Sequence, residues 1–178
     1  MKKVIFGLLL SSFGTVFSAL ASDATLKSEV TFVHASCNLT DESKTMTVPL
    51  GNVSRKDVVY AQSTSYFSLK ATGCPPDGSA RIGIRFDGSG LNSNFGKYFY
   101  LDKESTAKGV VIAIGGYFPA INEYTSIGPG DERVYVTPNS LGEATLYFYA
   151  RYYNSSGYIK DIVPGSANTT VQISLIYM

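Results

Sequence analysis

The sequence has few of the residues from which catalytic and metal sites are usually built. It contains no tryptophan, one histidine and two cysteines, and only 16% of its residues are charged. One histidine leaves little material for a metal site or for a nucleophile paired with a base. We therefore predict no catalytic residue, no metal ligand and no cofactor, and we expect that the protein is not an enzyme.

An excess of charge of either sign is also missing. The chain has 15 Lys+Arg against 14 Asp+Glu, which gives a formal net charge of +1. A protein that binds nucleic acid usually carries a basic patch, so we expect no nucleic-acid partner. What the sequence does have is 13 Tyr, 10 Phe and 17 Gly. This mixture favours strands and tight turns over helices.

A hydrophobic run at the N-terminus predicts a signal peptide over residues 1–21. Two lysines precede the run, and Ala19 and Ala21 place small residues where a signal peptidase cleaves. A membrane anchor is the alternative, but serines and a glycine interrupt the run before the ~20 apolar residues that a spanning helix needs. We expect an exported mature chain that begins at Ser22.

Export determines how the two cysteines are interpreted. In an oxidising compartment, Cys37 and Cys74 are expected to form a disulfide that ties two strands together. On the chain-entropy account, closing a loop of this size stabilises a fold by ~4 kcal/mol. Free or intermolecular thiols are the alternative.

Beyond the leader, apolar and polar residues alternate with period two, which is typical of half-buried strands. We predict strands over residues 30–35, 45–50, 65–71, 80–86, 97–101, 109–114, 134–136, 143–153 and 169–178. The segments between them are rich in Gly, Pro and Asp, and no amphipathic helix is evident. Many short strands separated by turns predict an all-β fold, an antiparallel β-sandwich.

Several motifs occur in one order along the chain: V-P-L-G-x-V at 48–53, F-S-L-K-A-T-G-C at 67–74, I-R-F-D-G at 84–88, A-K-G-V-V-I-A-I at 107–114 and L-x-F-x-A-x-Y at 146–152. Gly165 stands thirteen positions before the last residue, and Tyr177 is penultimate. With these motifs, the chain resembles the pilin subunits of bacterial chaperone–usher fimbriae, the type-1-like family. The resemblance covers essentially the whole mature chain.

The resemblance implies an incomplete immunoglobulin-like sandwich over residues 29–178 that lacks its last strand and is completed by a donated one. It implies a periplasmic chaperone, an outer-membrane usher and neighbouring pilin subunits as partners, and export through the periplasm to a surface fimbrium. The implied function is that of a structural or minor subunit assembled by donor-strand exchange, which serves cell adhesion. A tip subunit that binds a host receptor or glycan directly is the alternative.

The resemblance also assigns roles to particular residues. Four alternating residues of the last strand are expected to contact the groove and the chaperone: Val171, Ile173, Leu175 and Tyr177. A second set is expected to line the groove: Leu146, Phe148, Ala150 and Tyr152. Residues 22–28 form a candidate donor arm, with Ala24, Leu26 and Val30 as its apolar positions. Because the arm is short, a minor subunit or a tip subunit remains an alternative to a shaft subunit.

The outward face of the 143–153 strand carries Tyr147, Tyr149, Arg151 and Tyr153. These side chains could stack on a sugar or contact a neighbouring subunit, but cross-strand aromatic pairing is the favoured interpretation. The single histidine, His34, is interpreted as an ordinary strand residue, because no carboxylate stands at a sequence spacing from it that would indicate a functional site.

Overall fold

The computed structural model describes residues 37–60, 62–94, 96–132 and 134–178. These residues form ten strands, all paired antiparallel, in two sheets. The strands are β1 (Asn38–Leu39), β2 (Thr64–Thr72), β3 (Ile82–Asp87), β4 (Gly90–Ser93), β5 (Gly96–Phe99), β6 (Val110–Phe118), β7 (Glu123–Ile127), β8 (Tyr135–Val136), β9 (Ala144–Asn154) and β10 (Gln172–Tyr177). Two short helices, α1 (Asp41–Lys44) and α2 (Arg55–Val59), precede β2, and a single 3₁₀ turn covers Ile159–Asp161.

The larger sheet has the order β1-β2-β9-β6-β5-β4, and β7 also pairs with β6. Its centre is β6, an almost continuous apolar run, because both edges of this strand are paired and most of its residues are buried. In β9, by contrast, apolar and polar residues alternate from Ala144 to Ala150. This alternation places one face of β9 in the core and the other on the outside.

The smaller sheet has the order β10-β3-β8. Its register brings the apolar residues of the two longer strands opposite each other: Ile173 pairs with Phe86, Leu175 with Ile84 and Tyr177 with Ile82. Backbone bonds between Arg81 and Met178, in both directions, extend this pairing to the last residue. The C-terminal strand is therefore held along its whole length on one side.

The core lies between the two sheets. The side chains of Phe86, Phe99, Phe148 and Leu146 have 2% or less of their surface exposed, and Phe86 packs edge-on against Phe148 with ring centroids 5.1 Å apart. Side chains from the inner faces of both sheets interdigitate here, as in a sandwich. The prediction of an all-β antiparallel sandwich is confirmed.

The disulfide between Cys37 and Cys74 is present, with an S–S distance of 2.10 Å. Cys37 directly precedes β1 and Cys74 follows β2, and these two strands pair with each other. The bridge therefore ties together two adjacent strands of the larger sheet, as the sequence predicted. The described part of the chain contains no helix long and apolar enough to cross a membrane.

Most predicted strands are found within a few residues of their expected bounds, but one prediction is wrong. Residues 45–50 form no strand and run as irregular chain between α1 and α2. Pro49 lacks the N–H that a sheet ladder needs, and helices flank the segment on both sides. The sequence also failed to indicate β4, β7 and the two short helices, and the strand predicted over residues 30–35 lies outside the described residues.

Candidate functional site

A groove of about 1010 Å³ runs between the two sheets and is open to solvent. One side is formed by the irregular residues 45–53, which we name the wall segment, together with the start of α2. The other side is formed by residues 162–171 and the beginning of β10. Side chains of β2, β3, β6 and β9 make the floor.

The β10 side of the groove is a sheet edge. β10 pairs with β3 on one side, and no described strand pairs with its other edge. Val171 and Ile173 line the groove beside this edge. An edge strand that is free on one side presents backbone N–H and C=O groups to any chain that lies along it.

The wall segment is attached in a different way. The Ser65 hydroxyl donates to the Pro49 carbonyl at 2.7 Å, and the Ser63 hydroxyl donates to the Leu50 carbonyl at 3.2 Å. No backbone hydrogen bond joins residues 45–53 to another part of the described chain. Half-buried Val48 and Leu50 pack against the core, so apolar contacts and two serine hydroxyls hold this side in place.

The floor of the groove is almost entirely apolar. It is formed by side chains that also belong to the core: Phe67, Leu69, Phe86, Ile112, Ile114 and Ala150. Phe67 stacks on Phe148 with ring centroids 5.4 Å apart, which extends the core toward the opening. This floor matches the alternate apolar side chains of an extended peptide, whose other side chains face away from it.

Tyr152 provides the polar atom of the floor. Its hydroxyl donates to the Ala167 carbonyl at 3.4 Å, a long bond that joins β9 to the segment before β10. Burial raises the pKa of this phenol. Tyr152 is therefore neutral at ordinary pH and adds no charge to the groove.

The predicted groove-lining set divides into two pairs. Ala150 and Tyr152 line the groove, whereas Leu146 and Phe148, each 0% exposed, lie in the core and are absent from the lining. All four point to the same side of β9, so period two identified the face correctly. It could not indicate where along the strand the groove ends.

The predicted residues of the last strand also differ in their positions. Val171 and Ile173 line the groove, and Leu175 packs against both apolar clusters of the core. The Tyr177 hydroxyl donates to the Cys37 carbonyl at 3.0 Å, although 48% of this residue is exposed. This bond joins the end of β10 to the start of β1. Contact of these residues with a chaperone stays a prediction.

Gly165 lies where the chain crosses in front of residues 105–107. A Cβ atom at this position would lie 2.5 Å from the Ala107 nitrogen and close to the Thr106 hydroxyl. Thr106 and Ser166 also exchange hydrogen bonds across this contact. Only glycine allows these two segments of the chain to approach so closely, which explains its presence at this end of the groove.

Other residues of the site carried no clear signal in the sequence. Val53 was recognised only as part of a motif, and the other lining residues only as members of motifs and predicted strands, with no role in a groove: Val48, Leu50, Phe67, Ile112 and Ile114. The candidate donor-arm residues Ala24, Leu26 and Val30 lie outside the described residues, as does His34. Within the described ranges, no group of three or more His, Cys, Asp and Glu side chains could hold a metal ion.

The outer face of the larger sheet carries a cluster of tyrosines. Tyr124 contacts Tyr66, Tyr117 and Tyr149, with ring centroids 5.3–5.7 Å apart. The ring of Tyr149 lies over Gly115, where a Cβ atom would clash with it. The tyrosines of neighbouring strands therefore pack against one another, which agrees with the interpretation as cross-strand pairing.

Three comparisons place the sequence and the fold among known proteins. Residues 24–178 match the family described as fimbrial protein. The chain is 29% identical to the probable major fimbrial subunit LpfA of Escherichia coli O157:H7, over 99% of this chain and 97% of LpfA. The fold is similar to that of the P pilus rod subunit PapA, with a TM-score of 0.59, 19% identity and coverage of 80% of this chain and 99% of PapA. A chaperone–usher pilus structure concerned with rod uncoiling matches with a TM-score of 0.61 and 16% identity, over 92% of this chain and all of that chain.

Proposed function

The chain belongs to the fimbrial protein family, and on this basis we propose that it is a chaperone–usher fimbrial subunit whose groove takes a β-strand from a partner. A fimbrial subunit is part of a surface fibre, so its neighbours in the fibre are other subunits. The groove explains how such neighbours can be joined. One subunit contributes a strand and the next contributes the slot that receives it.

The observation that carries this proposal is the groove beside the free edge of β10. An extended peptide in this position would pair its backbone with β10 and direct alternate side chains onto the apolar floor. An isolated subunit with such an edge and slot is prone to aggregate, because both can pair with the wrong chain. A strand donor is therefore needed from export onward.

We assign the first donor to a periplasmic chaperone and the second to the arm of another subunit, which takes its place at the outer-membrane usher. Residues 1–21 are removed on export, residues 22–28 form the arm and residues 29–178 form the pilin domain. Ala24, Leu26 and Val30 are spaced two or four residues apart, so in an extended chain they lie on one face and suit an apolar slot. Assembly by this route builds a fibre that serves adhesion.

The test is expression of the full chain in a bacterial periplasm with and without a co-expressed fimbrial chaperone. We expect a soluble one-to-one complex with the chaperone, and aggregation or degradation of the chain alone. The matched pair Ile173→Asp and Gln172→Asp sharpens the test, since Ile173 lines the groove and neighbouring Gln172 is exposed on the other face of β10. Ile173→Asp should lose the complex and Gln172→Asp should keep it.

A stable, monomeric chain produced without any strand donor would contradict the proposal. So would equal yields of complex from the two variants, because the side chains that a donated strand directs into the groove lie beside Ile173 and not beside Gln172.

A tip subunit that itself binds a receptor is not favoured. The relative LpfA is described as a probable major fimbrial subunit, and the alignment covers nearly all of both chains.

A further inference from the structure

The rim of the groove carries charge of one sign. Among the residues that line the groove, only Lys44 and Arg55 are charged, and both are exposed. We name these two side chains the rim cations. No described Asp or Glu residue belongs to the lining. A chain that lies in the groove therefore meets two positive charges at its edge and no negative one.

The rim cations mark opposite ends of the groove. Lys44 is the last residue of α1, which is bonded to the Lys70 amide of β2. Arg55 is the first residue of α2, and the wall segment before it reaches Ser63, just before β2, through the Leu50 carbonyl. Lys70 and Ser63 are seven residues apart, which in an extended strand is about 23 Å. One cation thus stands at each end of a slot about as long as a strand of seven residues.

Neither cation is strongly engaged within the described chain. Lys44 pairs with Asp41 at 2.8 Å, but both side chains are more than half exposed, and such a pair contributes little. The described residues form no ion pair with Arg55. The carboxylate of Asp57, two residues further on, is bonded to Ser54. Both rim cations can therefore pair with a carboxylate of an incoming chain.

The N-terminal arm carries two carboxylates at a spacing that matches the groove. Residues 23–30 read D-A-T-L-K-S-E-V. When the apolar residues of the arm face the floor, Asp23 and Glu29 both face outward. They are six residues apart, about 20 Å in an extended strand. Glu29 enters the groove together with Val30, the last apolar position of the arm, and Lys27 stands midway, away from both ends.

We propose that the rim cations select the donated strand and fix its register by pairing with the two carboxylates of an arm from another copy of this chain. This inference rests on the proposed function, since it concerns the strand that fills the groove. All described strand pairs are antiparallel, and β10 runs toward β1 and the Lys44 end. A donated strand that is antiparallel to β10 therefore places Asp23 beside Lys44. It places Glu29 beside Arg55 at the other end.

Charge and apolar burial then specify the same register. A shift of the donated strand by one residue turns its apolar side chains away from the floor. A shift by two residues keeps them on the floor but moves each carboxylate about 7 Å from its cation. The rim cations therefore distinguish registers that the apolar floor alone would accept.

The test uses the complex of the full chain with a fimbrial chaperone and a labelled peptide of residues 22–31, amidated at its C-terminus. Fluorescence anisotropy at low salt measures the rate at which the peptide replaces the chaperone. The Glu29→Gln peptide should exchange about threefold more slowly than the wild-type peptide, and about 0.5 M NaCl should remove the difference. A peptide with Glu29→Thr and Thr31→Glu keeps composition and charge but moves the carboxylate, so it should be equally slow.

Variants of the receiving chain test the same pair from the other side. Arg55→Glu should slow exchange of the wild-type peptide about tenfold, and Glu29→Lys in the peptide should restore most of the rate. Lys56→Glu is the matched control, because Lys56 follows Arg55 in α2 and does not line the groove. It should leave the rate of the wild-type peptide unchanged.

Equal rates for all peptides on a wild-type chain that takes them up would refute the rim pairing and leave the proposed function standing. Failure of Glu29→Lys to speed exchange in Arg55→Glu would refute it as well. If Arg55→Glu yields no chaperone complex, the comparison of peptides on the wild-type chain decides. If the wild-type chain takes up none of the peptides, the proposed function and the rim pairing are both refuted.

Discussion

The two sides of the groove start from similar sequence patterns and end as different structures. Residues 45–50 read T-M-T-V-P-L and residues 172–177 read Q-I-S-L-I-Y, and both patterns predict a strand. Only the second becomes one, as β10. The difference lies in the available partner, because β3 offers β10 a complete ladder, whereas the hydrogen bonds that hold the first segment within the described chain come from the hydroxyls of Ser65 in β2 and of Ser63 just before it.

The comparison teaches that alternation identifies which side chains face a core and does not guarantee backbone pairing. Val48 and Leu50 face the core just as Ile173 and Leu175 do. The ladder is a separate requirement, and Pro49 weakens it on one side of the groove. Variants can therefore test the two sides separately.

Removing the disulfide is expected to have the largest effect, because Cys37 and Cys74 hold β1, from which the chain leads to the wall segment. We expect the double variant Cys37→Ser with Cys74→Ser to lose about 4 kcal/mol of unfolding free energy. Guanidinium unfolding of the complex with a donor peptide measures this loss. A change below about 1 kcal/mol would show that the bridge adds little to the folded state.

Substitution of one leucine on each side of the groove compares how firmly the two sides are held. Leu175→Ala should cost about 2–3 kcal/mol, since Leu175 packs against both core clusters from a paired strand. Leu50→Ala should cost about 1 kcal/mol, because the loosely held wall segment can collapse into the space that is left. Guanidinium unfolding of the complex with a donor peptide measures both losses of unfolding free energy. Equal losses would mean that the wall segment is as rigid as β10.

An effect similar to that of Leu50→Ala is expected where β10 is joined to the start of β1. Tyr177→Phe removes the hydrogen bond from the last strand to the Cys37 carbonyl and keeps the ring. The loss should be about 1 kcal/mol, and amide exchange should increase at the C-terminal end of β10 and at β1. Tyr158→Phe serves as a control, because Tyr158 is exposed and lies outside the strands. If exchange rises equally in both variants, the Tyr177 bond does not hold β10 to the start of β1.

The smallest effect depends on pH and concerns the wall side. Hydrogen bonds from the Ser54 side chain and backbone lower the pKa of Asp57, which completes the capping box of α2. A carboxyl whose pKa is lower in the folded state stabilises the fold above its unfolded value of about 4, and this contribution is lost as the pH falls through the folded pKa.

Acidification below about pH 4 should therefore lower the amide protection factors, which are corrected for the intrinsic exchange rate, in α2 and leave those of β10 unchanged. Asp57→Asn should remove this pH dependence, which hydrogen exchange measured at several pH values checks. A pH response that persists in Asp57→Asn would assign it to another group.

Much of the fold could be predicted because apolar and polar residues alternate with period two along the strands, and this alternation can be read from the local sequence. The faces of β9 and β10 follow from residues such as Phe148 and Ile173, and the bridge between Cys37 and Cys74 was expected from the predicted export and the cysteine count. The short strands β4 and β7 could not be predicted, since their residues lie among turn-forming ones and depend on pairing with β5 and β6.

The candidate site was only partly predictable. Ala150 and Leu146 are equivalent in the alternation of β9, yet only Ala150 reaches the groove. Which of them is covered depends on how far the second sheet extends over β9, and no pattern within the strand contains that information. The sequence likewise did not indicate that two serine hydroxyls hold the wall segment, because serine occurs in many exposed positions.

The sequence by itself determined that the chain has two cysteines suited to a bridge and a set of strands with one apolar face each. Local steric preference and the burial of alternate side chains act over a few residues, so they are recorded in the sequence. Only the tertiary structure decided that β10 would be paired on one edge and that residues 45–53 would stay unpaired. Strand pairing depends on residues far apart in the chain, and their meeting defines the groove.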